Sequence, residues 1–219
     1  MNRADAPELF AELHGVQLWR LDLSQARPPD PGELSPSEQA RGDRRRSEVD
    51  RSRFAASRAA LRRLLAARTG TDPARLRLEE GPHGRPIVPG GPAFSMSHTG
   101  DLWLCAVADG RELGIDGEQL REVPEARDIA ELWFTRAERE RLASEEARGV
   151  PGAFLRGWVR KEAFLKALGV GFSVEGATGV DPDPAEWAVL DLDPAPGYVA
   201  ALVVSRSEAP APRAGNGHV

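Results

Sequence analysis

Apolar runs bounded by turn residues mark the strands of this chain. Strand-like runs are predicted at 16–23, AFSM, LWLCAVA, ELGIDGE, EWAVLDL and YVAALVV. The AFSM run breaks at SHTGD. Asp109 and Gly110 separate LWLCAVA from ELGIDGE, and this residue pair tolerates the positive φ of a two-residue turn. These two runs are therefore predicted to pair as an antiparallel hairpin.

Apolar residues at helical spacing and capping patterns mark the helices. LSPSE is typical of a helix start, because Ser35 can cap the helix, Pro36 suits its first turn and Glu38 completes a capping box. The helical pattern then continues to Gly70 through the apolar anchors Phe54, Leu61, Leu64 and Leu65. Three more helices are predicted, in PEARDIAELWF, in TRAERERLASEEA with a capping box from Thr135 to Glu138, and in PGAFLRGWVRKEAFLKALG, which ends at Gly169.

Strands and helices are interspersed along the chain without a regular βαβ rhythm, and each half carries a long helix and several short strands. This order predicts an α+β fold. The boundary between the halves is expected near residues 109–112, which divides the chain into 1–110, 111–206 and a tail, 207–219. The tail is rich in Pro, Ala and Gly and is predicted to be disordered.

Composition places the chain among globular proteins that can form a real core. It has 219 residues, of which 41% are hydrophobic and 29% charged, and a net charge of −5. The single cysteine, Cys105, cannot form an internal disulfide and lies in an apolar run, where a core role is expected. No apolar stretch is long enough for a membrane span, and the first residues lack the apolar core of a signal peptide. We therefore expect no membrane association and a cytoplasmic location.

The basic residues are distributed unevenly. Of the 29 basic residues only Lys161 and Lys166 are lysines, and both lie in one predicted helix. Nine arginines lie between residues 41 and 63 against three acids, a local excess of six positive charges in an acidic protein. This excess indicates an anionic partner. A nucleic-acid-binding module is one interpretation, although Phe54 is the only aromatic residue of the stretch that could stack on bases.

Two carboxylates are separated by one residue in LGIDGEQL. In a strand, Asp116 and Glu118 would point to the same face, and oxygen ligands on one face suit Mg²⁺. An ordinary solvated strand end shows the same pattern. Glu162 and Lys166 form an i,i+4 pair on the last predicted helix, beside Lys161. A surface salt bridge would explain that pair, but a carboxylate between the only two lysines also fits a metal-bridged diphosphate.

The SHTG stretch adds neutral hydrogen-bonding groups. Ser97 and His98 follow the AFSM run, and Gly100 allows a ligand to approach the backbone closely. A histidine in a turn is more often simply solvated, but its imidazole and the neighbouring hydroxyl could donate to phosphate oxygens. Because this stretch directly precedes the runs that carry the two acids, both could face one cleft.

Four motifs, in this order and at this spacing, resemble the Sfp-type 4′-phosphopantetheinyl transferases. They are GRP at 84–86, FSMSHTG at 94–100, GIDGE at 114–118 and WVRKEAFLKALGVG at 158–171. The arginine-rich stretch resembles the first-half helix of that family, so the likeness covers residues 34–172. The last two motifs are highly specific together, whereas neither alone would be sufficient.

The resemblance implies a monomer that is a pseudo-dimer of two similar α+β halves, with coenzyme A in the cleft between them. The implied reaction is a Mg²⁺-dependent transfer of the phosphopantetheine arm of coenzyme A to a serine of an acyl or peptidyl carrier protein. Adenosine 3′,5′-bisphosphate is released. A Mg²⁺-dependent nucleotide diphosphate hydrolase, which needs no protein acceptor, is the main alternative.

By this likeness each candidate residue takes a role. The metal ligands would be Asp116, Glu118 and Glu162, and the catalytic groups would be Glu162, Lys166 and Glu138. The phosphates of the transferred group and of coenzyme A would be held by Lys166, Lys161, Ser97 and His98. The 3′-phosphate end would be held by Arg85, Arg53, Arg41 and Arg44.

Two positions leave alternatives open. Glu138 is a general-base candidate by resemblance, but its capping role explains it equally well. Gly117 stands between the two acids where the family usually has a branched apolar residue, and it could loosen the metal site or reshape the carrier-docking surface. That surface is expected at the apolar residues Leu120, Val123 and Trp133.

Overall fold

The computed structural model describes residues 6–81, 85–170 and 180–207. The elements up to the middle of the chain are β1 (Glu8–Leu13), β2 (Val16–Asp22), α1 (Pro36–Asp43), α2 (Glu48–Thr69), β3 (Glu79–Glu80), β4 (Pro86–Ile87), β5 (Ala93–Thr99) and β6 (Leu102–Ala108). They are followed by β7 (Leu113–Gln119), α3 (Ala126–Trp133), α4 (Arg136–Ala147), α5 (Ala153–Ala167), β8 (Trp187–Leu192) and β9 (Tyr198–Ser205). The mixed α+β class predicted from the sequence is confirmed.

The strands form two main antiparallel sheets. The first has the order β1-β2-β6-β5, and the second has the order β7-β9-β8. Strands β3 and β4 form a small separate ribbon. In each main sheet the most apolar strand pairs on both sides, β6 with β2 and β5 and β9 with β7 and β8. Backbone groups of these two buried strands are thereby satisfied by the ladders.

The two sheets pack face to face, and a long helix covers the outer face of each. Alternate residues of β6 illustrate this arrangement. Leu104 belongs to the core between the sheets, with Leu113 and Ile115 of β7. Its neighbours Trp103 and Cys105 belong to the core under α2. A third core lies between α5 and the second sheet. Cys105 is fully buried, as expected for a core residue.

The predicted hairpin of LWLCAVA with ELGIDGE is wrong. Strands β6 and β7 lie in different sheets, and β7 instead pairs with β9, from Leu113 opposite Val204 to Gln119 opposite Tyr198. The turn conformation predicted at Asp109–Gly110 is present, because Gly110 has a φ of 60°. The chain crosses here to the other sheet, because β7 can then bury its apolar residues against β6 face to face.

Two further boundaries differ from the prediction. The expected single helix after LSPSE is two helices, since α1 ends at Asp43 and Ser47 caps the new helix α2. The AFSM run does not break at SHTGD, because β5 continues to Thr99. Ser97 and His98 therefore lie within a strand.

The predicted helix ends are confirmed where they rest on capping chemistry. Both capping boxes are present, at Ser35 with Glu38 and at Thr135 with Glu138. Gly70 and Gly169 follow their helices with φ of 67° and 73°, the left-handed conformation that glycine adopts easily. Among the described residues no helix is long and apolar enough to cross a membrane. The predicted disordered tail lies outside the described residues except for Ser207, and so does Gly84 of the GRP motif.

Candidate active site at the edge between the two sheets

Strands β5 and β7 are edge strands of different sheets, and they face each other. We call the line between them the seam. No backbone ladder joins the two edges. Instead, alternate hydroxyl side chains of β5 accept hydrogen bonds from alternate backbone N–H groups of β7. The acceptor and donor pairs are Ser95 with Ile115 at 3.1 Å, Ser97 with Gly117 at 3.4 Å, and Thr99 with Gln119 at 3.4 Å.

The same hydroxyls hold the two acids of β7. Ser97 Oγ lies 2.7 Å from Asp116 Oδ1, and Thr99 Oγ1 lies 3.2 Å from Glu118 Oε2. A hydroxyl can accept from the backbone and donate to a carboxylate at once. Asp116 is only 4% exposed, whereas Glu118 is half-buried and also pairs with Arg121 at 3.1 Å. The seam therefore sets the positions of both carboxylates on one face of β7.

Lys166 of α5 reaches into the seam. Its Nζ lies 2.6 Å from Asp116 Oδ1. It also donates to the backbone carbonyls of Ile115 at 3.2 Å and Met96 at 3.5 Å, one on each strand. The ammonium thus bridges the two edges and neutralises the most buried acid of the site.

Gly114 allows α5 to approach β7 this closely. A Cβ added at this glycine would lie 2.0 Å from the carbonyl oxygen of Ala163 and 2.6 Å from the backbone nitrogen of Ala167. No residue with a side chain fits there. Gly114 was not among the predicted site residues, although a glycine inside a strand pattern is a recognised sign of close backbone approach.

Glu162 lies in the electrostatic field of the two acids. Burial, together with the charges of Asp116 and Glu118, raises the pKa of its carboxyl to about 7, against the lowering effects of Lys166 and of a hydrogen bond from Trp158. The three predicted metal ligands therefore share one local field. However, the described residues contain no group of three His, Cys, Asp or Glu side chains already arranged to hold a metal ion. The three-carboxylate site stays a prediction.

The donor set nevertheless fits Mg²⁺. All three side chains offer carboxylate oxygens, which Mg²⁺ prefers. Their mutual repulsion, which contributes to the raised pKa of Glu162, is what a divalent cation would offset. The residues that would hold it are Asp116, Glu118 and Glu162.

Lys161 and Glu138 lie together, away from the seam. The side chain of Lys161 is 0% exposed, and its Nζ donates to Glu138 Oε2 at 3.2 Å and to the carbonyl of Val180 at 2.8 Å. The same Glu138 oxygen accepts the backbone N–H of Thr135 in the capping box. Glu138 lines a separate cavity of about 470 Å³ beside α4 and α5. The structure thus does not bring these two residues to the acids of β7.

A basic cavity of about 440 Å³ opens beside His98. It is lined by Arg44, Arg45, Arg46, Asp50, Arg53, Phe54, His98 and Gly100. Burial lowers the pKa of His98, and the positive charges of Arg45, Lys166 and Arg53 lower it further. Such a cavity suits phosphate groups. Of the arginines predicted for the 3′-phosphate, Arg44 and Arg53 line it, whereas the exposed Arg41 does not.

Two arginines of this cavity were missed by sequence reasoning. Arg45 and Arg46 lie in the connection between α1 and α2, which the sequence pattern merged into one helix. Arg45 also lies over the ring of Phe54, 5.0 Å from its centroid. The run of three arginines could have indicated these residues, but their position at the cavity depends on the break between α1 and α2.

Arg85 lies elsewhere. Its guanidinium donates to four backbone carbonyls and does not line the basic cavity. Burial lowers the pKa of Arg85. The structure therefore separates Arg85 from the other arginines with which the resemblance grouped it.

Gly117 faces the interior. A Cβ there would lie 2.7 Å from Leu104 Cδ1 of β6, on the side of β7 opposite to the carboxylates. This leucine fills the space that a larger residue would take, so Gly117 does not form part of a surface. The three predicted docking residues, Leu120, Val123 and Trp133, are all partly buried against the core next to α3.

Comparison with known proteins identifies the family. The chain is 33% identical over 216 residues to the 4′-phosphopantetheinyl transferase HetI of Nostoc sp., covering 91% of each chain. The chain belongs to the 4′-phosphopantetheinyl transferase superfamily. The superfamily model matches residues 112–201. A putative 4′-phosphopantetheinyl transferase of Synechocystis sp. is 35% identical over 174 residues, which is 76% of this chain and 70% of that protein.

A third relative shows a similar degree of identity. The 4′-phosphopantetheinyl transferase psf-1 of Bacillus pumilus is 29% identical over 168 residues, 74% of this chain and 70% of that protein. The resemblance and the enzyme class predicted from the sequence are thus confirmed. The comparisons support neither the hydrolase nor the nucleic-acid-binding alternative.

Proposed function

We propose that this enzyme transfers the phosphopantetheine arm of coenzyme A to a serine hydroxyl of an acyl or peptidyl carrier protein and releases adenosine 3′,5′-bisphosphate. The observation that carries the proposal is the seam. It places an ammonium, that of Lys166, against Asp116 and within the field of Glu162, next to an arginine-lined cavity. A diphosphate with a distant 3′-phosphate needs both regions.

The basic cavity is proposed to bind the 3′-phosphate end of coenzyme A. Arg44, Arg46 and Arg53 offer guanidinium groups, whose forked donors match phosphate oxygens. His98 is at the border between this cavity and the seam, because it lies on β5 and also lines the cavity. The neutral imidazole can donate one hydrogen bond to a phosphate of the diphosphate.

Asp116, Glu118 and Glu162 are proposed to hold Mg²⁺. When bound, the ion would supply charge neutralisation for the diphosphate. Lys166 is proposed to exchange its contact with Asp116 for the phosphate that becomes the leaving group. Phosphoryl transfer needs positioning and charge neutralisation more than covalent steps, so a held ammonium at the breaking bond is effective. Ser97 holds Asp116 in place throughout.

The carrier protein supplies the nucleophile, since its serine attacks. We propose that the enzyme acts in the cytoplasm as a monomer, with the halves 1–110 and 111–206 arranged as a pseudo-dimer around the coenzyme A cleft. The carrier would dock on the surface next to α3. Leu132 is a candidate there because it is 68% exposed beside the partly buried Trp133.

Incubation of the purified protein with coenzyme A, Mg²⁺ and a panel of carrier domains tests the proposal. Intact-mass measurement should show one added phosphopantetheine group per carrier, and adenosine 3′,5′-bisphosphate should appear in equal amount. The same carrier with its acceptor serine changed to alanine is the control. Release of the nucleotide without a carrier would instead support the hydrolase, and no mass gain on any carrier would contradict the proposal.

A further inference from the structure

Arg85 connects three elements through backbone carbonyls. Its Nη1 lies 3.1 Å from the carbonyl oxygen of Lys166 and 3.5 Å from that of Ala167, at the end of α5. Its Nη2 lies 3.1 Å from the carbonyl oxygen of Phe94 on β5 and 3.1 Å from that of Leu113 on β7. One planar group therefore joins both edges of the seam to the helix that carries the catalytic ammonium.

A cationic donor suits this end of the helix. A positive charge near the last carbonyls of a helix interacts favourably with the helix dipole, and the carbonyl of Lys166 accepts from Arg85 in addition to the N–H of Gly169. The carbonyls of Phe94 and Leu113 point from edge strands that no ladder joins. Even a Cβ added at Gly169 would stay 4.0 Å from Arg85 Nη1, so the guanidinium does not crowd the helix end.

The arrangement leaves Arg85 little capacity for a phosphate. A guanidinium has five N–H donors, four of them on the two terminal nitrogens. Both terminal nitrogens of Arg85 are engaged by carbonyls, two each. The cavity suited to an anion is lined by other arginines. We propose that Arg85 is a positioning residue that clamps the C-terminal end of α5 to the seam and thereby holds Lys166 at Asp116, and that it does not bind the 3′-phosphate of coenzyme A.

This inference rests on the proposed function for its kinetic consequences. It predicts different effects from a phosphate contact, because lysine keeps the charge of arginine but cannot make the four-carbonyl fork. Arg85→Lys should lower kcat by about tenfold or more with coenzyme A and by the same factor with 3′-dephospho-coenzyme A. The preference for coenzyme A over the dephospho form should stay within about twofold of wild type. Arg46→Ala, in the basic cavity, is the matched control and should reduce that preference.

Two kinetic results would overturn the inference. One is a near-normal kcat in Arg85→Lys. The other is a loss of the preference for coenzyme A in Arg85→Lys or Arg85→Gln, similar to the loss in the control. Thermal unfolding of each variant establishes that the protein measured is folded.

Hydrogen exchange tests the clamp independently of any measurement of enzyme activity. The amides of Leu168, Gly169 and Val170 close the end of α5 on the carbonyls of the last turn. They should exchange about tenfold faster in Arg85→Lys, while the amides at the end of α2 stay unchanged. Unchanged exchange at the end of α5 would refute the clamp whatever the kinetics. If the wild type modified no carrier, the proposed function would fail, but this measurement would still decide the role of Arg85.

Discussion

Replacing Glu162 by glutamine should stabilise the metal-free protein while abolishing transfer. Burial and two neighbouring carboxylates raise the pKa of this carboxyl from 4.5 to about 7. Each pKa unit is worth about 1.4 kcal/mol, so the ionised carboxylate costs the folded protein up to about 3 kcal/mol. Since the side chain keeps partial exposure and its neighbours relax, we expect a gain of about 1–3 kcal/mol in the free energy of unfolding.

The pH dependence gives this prediction its sign. The folded protein binds the Glu162 proton more tightly than the unfolded chain does, so this group's contribution to stability falls as pH rises from 4.5 to about 7. The advantage of Glu162→Gln should therefore be near zero below pH 4.5, grow across this interval and level off above it. Urea unfolding in EDTA at several pH values measures it. Glu122→Gln, an exposed loop acid, is the control. An equal stability of variant and wild type at pH 8 would refute the reasoning.

Three further substitutions test individual contacts. Glu138→Gln should lower the free energy of unfolding by about 3 kcal/mol, because it leaves the buried Lys161 without a counter-ion. The double variant Glu138→Gln/Lys161→Met should recover that stability in urea unfolding. A single variant that is fully stable but has no turnover would instead make Glu138 the general base. Gly114→Ala should lower the free energy of unfolding by more than about 3 kcal/mol, since its Cβ meets a helix backbone. Gly117→Ala meets a movable leucine methyl and should lower it by about 1 kcal/mol or less. Equal melting temperatures of the two variants would contradict this. Lys166→Ala should lower kcat far more than it weakens coenzyme A binding by calorimetry, and the opposite order would show that the ammonium mainly binds substrate.

The elements of this fold could be predicted because local chemistry determines them. The two capping boxes and the terminal glycines stop and start helices through contacts within a few residues. The pairing of β7 could not be predicted in the same way. A turn signal at Asp109–Gly110 favoured a hairpin, but the choice between hairpin and crossover depends on which distant strand, here β9, offers the better burial.

Part of the site was readable from spacing alone. Asp116 and Glu118 are two residues apart in a strand, and Lys166 is four residues from Glu162 in a helix, so each pair shares a face. Lys161 follows the same rule with the opposite result. It is next to Glu162 in sequence and is rotated by about 100° around the helix, which directs it into the core with Glu138.

The role of Arg85 depends on tertiary structure. Its motif gave only a position in sequence, whereas its four acceptors come from three elements that are brought together by the fold. The hydroxyls of β5 are similar. The sequence of residues 95–99 shows only an ordinary strand. Its alternate hydroxyls become hydrogen-bond acceptors because the fold places the edge strand β7 beside it.

A titration with Mn²⁺ tests most directly whether three carboxylates share one cation. It is carried out in the presence of coenzyme A, and the paramagnetic resonance signal of the free ion reports binding. The wild type should bind a single ion. Asp116→Asn, Glu118→Gln and Glu162→Gln should each weaken that binding by about tenfold or more, whereas Glu122→Gln should not. Unchanged affinity in any of the first three variants would contradict the shared site.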